Sequence, residues 1–196
     1  MAAPAGVSLA MHSASATDEA LAARMISGDP GAFDMLVLRW RDRIVDLAHL
    51  LVGDRHAAED IGQEVFLRFL RRPAAYDPGR PFAAWICTVA RNLCNDRFRR
   101  ERARARHQRT AAFERGFGPT PPAPPEDRAL EQEAAARLRE AIAQLPARFK
   151  EAYVLCAVRG LSYEEAARIC RCPAKTVSTR LARARQRLLV RMEGWL

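Results

Sequence analysis

The chain has 196 residues, 49% of them hydrophobic and 28% charged, with 32 basic against 23 acidic side chains and a formal net charge of +9. This is the composition of a soluble globular protein with small cores, and no segment stays apolar for the roughly 20 residues that a bilayer-spanning helix needs. The cationic surplus points to an anionic partner, and all of it except Lys150 and Lys175 is arginine, whose planar fork suits phosphate and guanine.

The first sixteen residues are rich in alanine and serine, lack a basic start and build no apolar run, so a tail without an export signal is expected there. From Asp18 onward the apolar pattern is helical, with no sustained alternation that would argue for strands. A short helix near Asp18 to Ser27 ends at Gly28. Asp29-Pro30 starts another, in which Phe33, Leu36, Val37, Trp40, Ile44, Leu47 and Leu51 form one stripe until Gly53 and Asp54 break it. A third helix, about Ala57 to Leu70, places Ile61, Val65 and Phe69 on one side, and Pro73 stops it. After the turn Tyr76-Asp77-Pro78-Gly79, Pro81 opens a long helix with a buried stripe of Phe82, Trp85, Ile86, Val89 and Leu93 and a strongly basic end. The following segment contains GFGPTPPAPPED, which cannot bury enough apolar surface to fold and reads as a linker. Beyond it, Leu130 to Leu145 is amphipathic, Pro146 starts a helix through Val158, and Gly160 to Leu188 completes a four-helix unit. The expected fold class is all-α, with two small helical domains over residues 17–105 and 130–196. A disordered tail over 1–16 precedes them and a flexible Pro-rich linker over 106–129 joins them.

The stretch GLSYEEAARICRCPAKTVSTRLARARQRL, from Gly160 to Leu188, has the pattern of a helix-turn-helix. Ser162 and Glu165 stand at the spacing of a capping box, in which each side chain satisfies the other's backbone amide. Ala166 and Ile169 face inward. Pro173 suits the first turn of a second helix, on which Val177, Leu181, Ala184 and Leu188 recur at helical spacing. The opposite face carries Lys175, Ser178, Thr179, Arg180, Arg183 and Arg187, and no Asp or Glu stands between Arg171 and Arg191. A DNA major groove accepts such a surface.

A second basic run covers Arg91 to Arg100 and continues through Arg102, Arg104 and Arg106. Cations also complement a helix C-terminus, but this run exceeds one turn and includes Asn92 and Asn95 as candidate base readers, which favours nucleic acid. An acidic cluster of Glu59, Asp60, Gln63 and Glu64 lies in AEDIGQEVFLRFL. Alone it is a solvated face; in a basic chain, flanked by Phe66, Leu67 and Leu70, it fits a protein-docking surface that DNA would repel. Five cysteines, odd in number, suit reduced thiols in a cytoplasm. Cys170-Arg171-Cys172 is too sparse for a zinc site, and His49, His56 and His107 show no ligand spacing with any cysteine, so neither a metal nor another cofactor is expected.

Together these residues resemble the bacterial sigma-70 family of RNA polymerase sigma factors. AEDIGQEVFLRFL is similar to their polymerase-binding helix, PFAAWICTVARNLCNDRFRR to their minus-ten helix, and Gly160 to Leu188 to their minus-35 domain. The likeness runs in order from about Asp18 to Met192, and the two-domain plan resembles the extracytoplasmic-function (ECF) subgroup. It implies sigma region 2 in the first domain and sigma region 4 in the second, and a non-enzymatic factor that recognises both promoter elements and assists strand separation. It also implies that Asp60, Gln63, Glu64, Phe66 and Leu67 dock on the coiled coil of the largest polymerase subunit, while the C-terminal domain meets the flap region. Asn92, Asp96, Arg97 and Arg100 then face the minus-ten element. The loop from Tyr76 to Pro81 captures an unpaired base, with Tyr76 a better candidate than Phe82 or Trp85, for which core packing is the favoured reading. Arg171, Lys175, Ser178, Thr179, Arg180 and Arg183 read the minus-35 element. The implied partners are core RNA polymerase, promoter DNA and an anti-sigma protein, in the cytoplasm and without membrane contact. Two other readings compete: a DNA-binding regulator that needs no polymerase, and, less favoured, a nucleic-acid enzyme, for which no convincing nucleophile and acid set is arranged.

Overall fold

The computed structural model describes residues 16–108 and 129–192. The expected tail and the Pro-rich run of the expected linker lie outside the described residues. Within the described residues every regular element is helical: α1 (Asp18–Ile26), α2 (Pro30–Val52), α3 (Arg55–Arg71), a short 3-10 turn (Pro73–Ala75), α4 (Phe82–Gln108), α5 (Ala129–Ala143), α6 (Ala147–Tyr153), α7 (Tyr163–Cys170) and α8 (Ala174–Met192). None of these helices is long and apolar enough to cross a membrane. The described residues form two compact units, one comprising those up to His49 with Asp54–Arg91, the other Leu50–Gly53 with those from Asn92 onward.

Polar anchors and aromatic packing hold the first unit. Thr17 caps α1 by accepting from the Ala20 amide at 3.2 Å. Asp18 then ties α1 to α2, accepting from Arg39 at 3.0 Å and from the Trp40 indole at 2.9 Å. Asp54 caps α3 by accepting from the Ala57 amide at 2.7 Å. Gly62 sits against α2 so closely that a Cβ there would lie 2.8 Å from Val45 Cγ2. That contact seats the inner face of α3, on which Ala58, Ile61, Val65 and Phe69 are buried. Its outer residues follow from helical geometry.

In the second unit α6 and α7 pack on α8. Among the residues buried there are Phe149 and the aliphatic Leu155, Ala166, Ile169, Val177, Leu181, Ala184 and Leu188. The capping box forms as expected, with the Glu165 amide donating to Ser162 Oγ at 3.2 Å and the Ser162 amide donating to Glu165 Oε2 at 2.8 Å. Two details differ from the pattern. The helix that was expected to run regularly through Val158 ends in a wide turn over Val154–Val158, where the Arg159 amide donates to the Val154 carbonyl at 3.0 Å, a five-residue step. Gly160, at φ +70, then redirects the chain. At the end of α7 an arginine rather than a glycine takes the left-handed position: Arg171 has φ 52.

Candidate nucleic-acid and docking interfaces

On α3 the outer face carries Asp60, Gln63, Leu67, Leu70 and Arg71, all exposed, with Glu64 at its margin. The i, i+3, i+4, i+7 spacing makes this one continuous stripe. Leu67 is 41% and Leu70 51% exposed, so an apolar strip lies beside the acids. Glu64 accepts from Arg68 Nε at 3.0 Å, and Glu59 accepts from Arg55 Nε at 2.9 Å. Exposed pairs of this type contribute little to stability and exchange readily for an intermolecular partner. Phe66 departs from the expectation. It is 6% exposed and its ring meets Phe33 edge to face at 6.4 Å, so it supports α3 from behind and is not available at the docking surface.

The turn between α3 and α4 is braced from within. Tyr76 is 2% exposed, with its ring 5.3 Å from Phe82, 5.4 Å from Trp85 and 6.3 Å from Phe69. Its hydroxyl donates to the Arg80 carbonyl at 2.7 Å, and the Trp85 indole donates to the Ala75 carbonyl at 3.2 Å. Burial, reinforced by the negative charges of Glu19, Asp77 and Asp18, pushes the Tyr76 phenol up to about 12. Tyr76 therefore shapes the loop instead of offering a face to a base, which corrects its expected DNA contact. Phe82 is wholly buried, in keeping with core packing, and its amide donates to Glu19 Oε1 at 2.9 Å. Trp85 keeps part of its surface open.

Further along α4, Leu93 and Cys94 are buried while Asn92, Asp96, Arg97 and Arg100 lie at or near the surface. Asn92, Asp96 and Arg100 repeat at four-residue intervals and so share one stripe. Arg100 Nε donates to the Asp96 carbonyl at 3.3 Å, and Arg97 pairs with Glu101 at 2.8 Å. With Arg97 beside it, this stripe offers an amide, a carboxylate and two guanidinium groups. These can respectively pair with adenine, accept from cytosine and hold guanine or phosphate.

The helix-turn-helix gathers its cations in one place. Lys175, Thr179, Arg180 and Arg183 line an open groove of about 450 Å³ beside α8, together with Pro173, Thr176 and two residues of α6, Arg148 and Phe149. Ser178 is half-buried and Arg171 exposed at the turn; neither lines that groove. Thr179 Oγ1 donates to the Lys175 carbonyl at 2.9 Å, leaving its oxygen lone pairs outward. Arg180 Nη1 donates to Cys172 Sγ at 3.6 Å, which gives one of the two turn cysteines a packing role. Arg148 was not anticipated, because its place beside α8 is created by the fold of α6.

Comparison with known proteins identifies the family. Family models of sigma-70 region 2 and of sigma-70 region 4 match residues 36–104 and 135–188. The chain is 36% identical over 167 residues to the ECF RNA polymerase sigma factor SigE of Mycolicibacterium smegmatis, covering 83% of this chain and 63% of that protein. It is 31% identical to the RNA polymerase sigma-H factor of Pseudomonas aeruginosa, covering 86% of this chain and 90% of that one. It is also 31% identical to the ECF sigma factor SigW of Bacillus subtilis, covering 82% and 89%. In structure it is similar to CnrH, solved with the cytosolic domain of CnrY, at a TM-score of 0.67 and 26% identity over 91% of this chain and 99% of that one. A second likeness is to the sigma factor RpoE of Bartonella quintana, solved with the anti-sigma factor NepR, at a TM-score of 0.64 and 26% identity over 82% and 96%. The chain belongs to the ECF family of RNA polymerase sigma factors.

Proposed function

We propose that this sigma factor divides its work among three surfaces. Asp60, Gln63, Glu64 and Leu67, with Leu70 beside them, dock on the coiled coil of the largest subunit of core RNA polymerase, and the C-terminal unit meets the flap region. Asn92, Asp96, Arg97 and Arg100 contact the minus-ten element. Arg171, Lys175, Ser178, Thr179, Arg180 and Arg183 read the minus-35 element from α8 and the turn before it. Binding energy from these contacts offsets the unpairing of bases near the start site, about a few kcal/mol per base. The protein catalyses no reaction itself and works in the cytoplasm, where core polymerase and chromosome meet.

The observation that carries this reading is the contrast of surfaces on one chain: an acidic and leucine-bearing stripe on α3, and cationic surfaces on α4 and α8. An anti-sigma protein controls the free factor in this reading, a partner suggested by the likeness to RpoE in its complex with NepR. Run-off transcription with purified core enzyme and a fragmented bacterial genome is the test. Discrete transcripts that require this chain support the proposal; an unchanged pattern of transcripts on adding it contradicts it.

A further inference from the structure

The groove beside α8 contains one cation that belongs to a different helix. Arg148, on α6, lines it together with Lys175, Arg180 and Arg183 of α8. Its position is set by an aromatic ring: the Arg148 guanidinium carbon lies 5.0 Å from the centre of Phe149, and that of Arg187 lies 5.4 Å from the same ring. Phe149 is itself 4% exposed, anchored in the core of the unit. A guanidinium stacked on a ring keeps its in-plane N–H groups for a planar or tetrahedral anion, and the stack reduces the ordering cost of binding one. No acidic side chain lines the groove.

We infer that Arg148 is a DNA-binding residue that grips a backbone phosphate of the duplex read by α8, with Phe149 as its positioning residue and Arg187 as a second cation held by the same ring. This rests on the reading of α8 as the helix that enters the major groove. A helix lying in that groove is flanked by the two phosphate backbones, and each strand presents a phosphate about every 3.4 Å along the axis. Side chains of the inserted helix reach base edges, while a cation on a neighbouring helix stands level with the backbone. Arg148 therefore contributes affinity that is independent of sequence, and Arg183 contributes discrimination.

The experiment uses the full-length chain and two duplexes: one selected from a random-sequence pool by the wild-type protein, and a shuffled copy of the same composition. Binding is measured across a salt series for wild type, Arg148→Gln, Arg148→Lys and Arg183→Ala. Arg148→Gln is expected to weaken binding to both duplexes by the same factor and to make the plot of log K against log salt shallower by about 0.9. Arg148→Lys keeps the wild-type slope. Arg183→Ala lowers the preference for the selected duplex. An unchanged slope in Arg148→Gln overturns the inference, as does a loss confined to the selected duplex. A slope that falls equally in Arg148→Lys also overturns it, because then packing and not charge is what was removed. If wild type shows no preference between the duplexes, the minus-35 reading itself fails, and that result is distinct because the Arg148 slope is still measured on either one.

Discussion

The two units of this protein are built from different materials, and the difference decides where each can act. In the first, Phe69, Tyr76, Phe82 and Trp85 converge, with Phe69 and Trp85 at 5.0 Å and Phe69 and Phe82 at 5.6 Å. Edge-to-face and tilted rings bury large areas and bring a modest directional gain, and they brace this unit where α3 meets α4. Its aromatic surface is spent on the core, and the outer face of α3 is left to acids and leucines. The second unit closes mainly over aliphatic side chains, among them Leu155, Ala166, Ile169, Val177, Leu181, Ala184 and Leu188, with Phe149 as its buried ring and a reciprocal cap fixing the start of α7. With Val177, Leu181, Ala184 and Leu188 on the inner face of α8, its outer face is free for cations.

Substitutions should separate these two designs. The largest effect is expected from Phe69→Ala, which removes a wholly buried ring that touches three others. It should cost about 3–5 kcal/mol of stability in denaturant titration and leave duplex binding through α8 intact at low denaturant. Equal loss in both units would erase the contrast. Arg183→Ala comes next, with a loss of about 1–3 kcal/mol in binding to the selected duplex if the side chain reads a base. Circular dichroism should be unchanged, since Arg183 is exposed. Ser162→Ala breaks one half of the capping box and should destabilise the second unit by about 1 kcal/mol, visible as a lowered thermal midpoint with no change in the first unit.

A last prediction concerns alkaline solution. Because the Tyr76 phenol is pushed up to about 12 in the folded chain, the unfolded chain loses this proton first as pH rises past its ordinary value near 10. The stability linked to Tyr76 is therefore fully present below about pH 10 and is lost as pH climbs toward 12. Urea titrations of Tyr76→Phe should lack this decline, and near neutrality the variant should lose about 0.5–1.5 kcal/mol for the missing hydrogen bond to the Arg80 carbonyl. A decline identical to wild type would place its source elsewhere.

What was legible in the sequence was local. The capping box at Ser162 and Glu165 and the stripe of Val177, Leu181, Ala184 and Leu188 each depend on neighbours within a few turns. Periodicity reports such relations directly. Phe66 and Tyr76 were misread because their burial depends on partners from other elements: Phe33 on α2 for the first, and Phe69, Phe82 and Trp85 for the second. An aromatic in a Pro- and Gly-rich loop carries no local mark of whether its ring turns in or out. Arg148 escaped notice for the same reason, since nothing near Pro146 signals that α6 will lie along α8. The wide turn after Tyr153 has no periodic signature that a short apolar run could show.

Docking and reading are separate functions of this chain, and the double variant Asp60→Ala with Glu64→Ala pulls them apart. Both side chains lie on the outer stripe of α3, so the fold should persist. Gel filtration with purified core polymerase, run beside duplex binding by the same sample, gives the two readouts. Co-elution with core should be lost while affinity for the selected duplex stays within twofold of wild type, a difference of about 0.4 kcal/mol. Undiminished co-elution, or a parallel collapse of duplex binding, would contradict it.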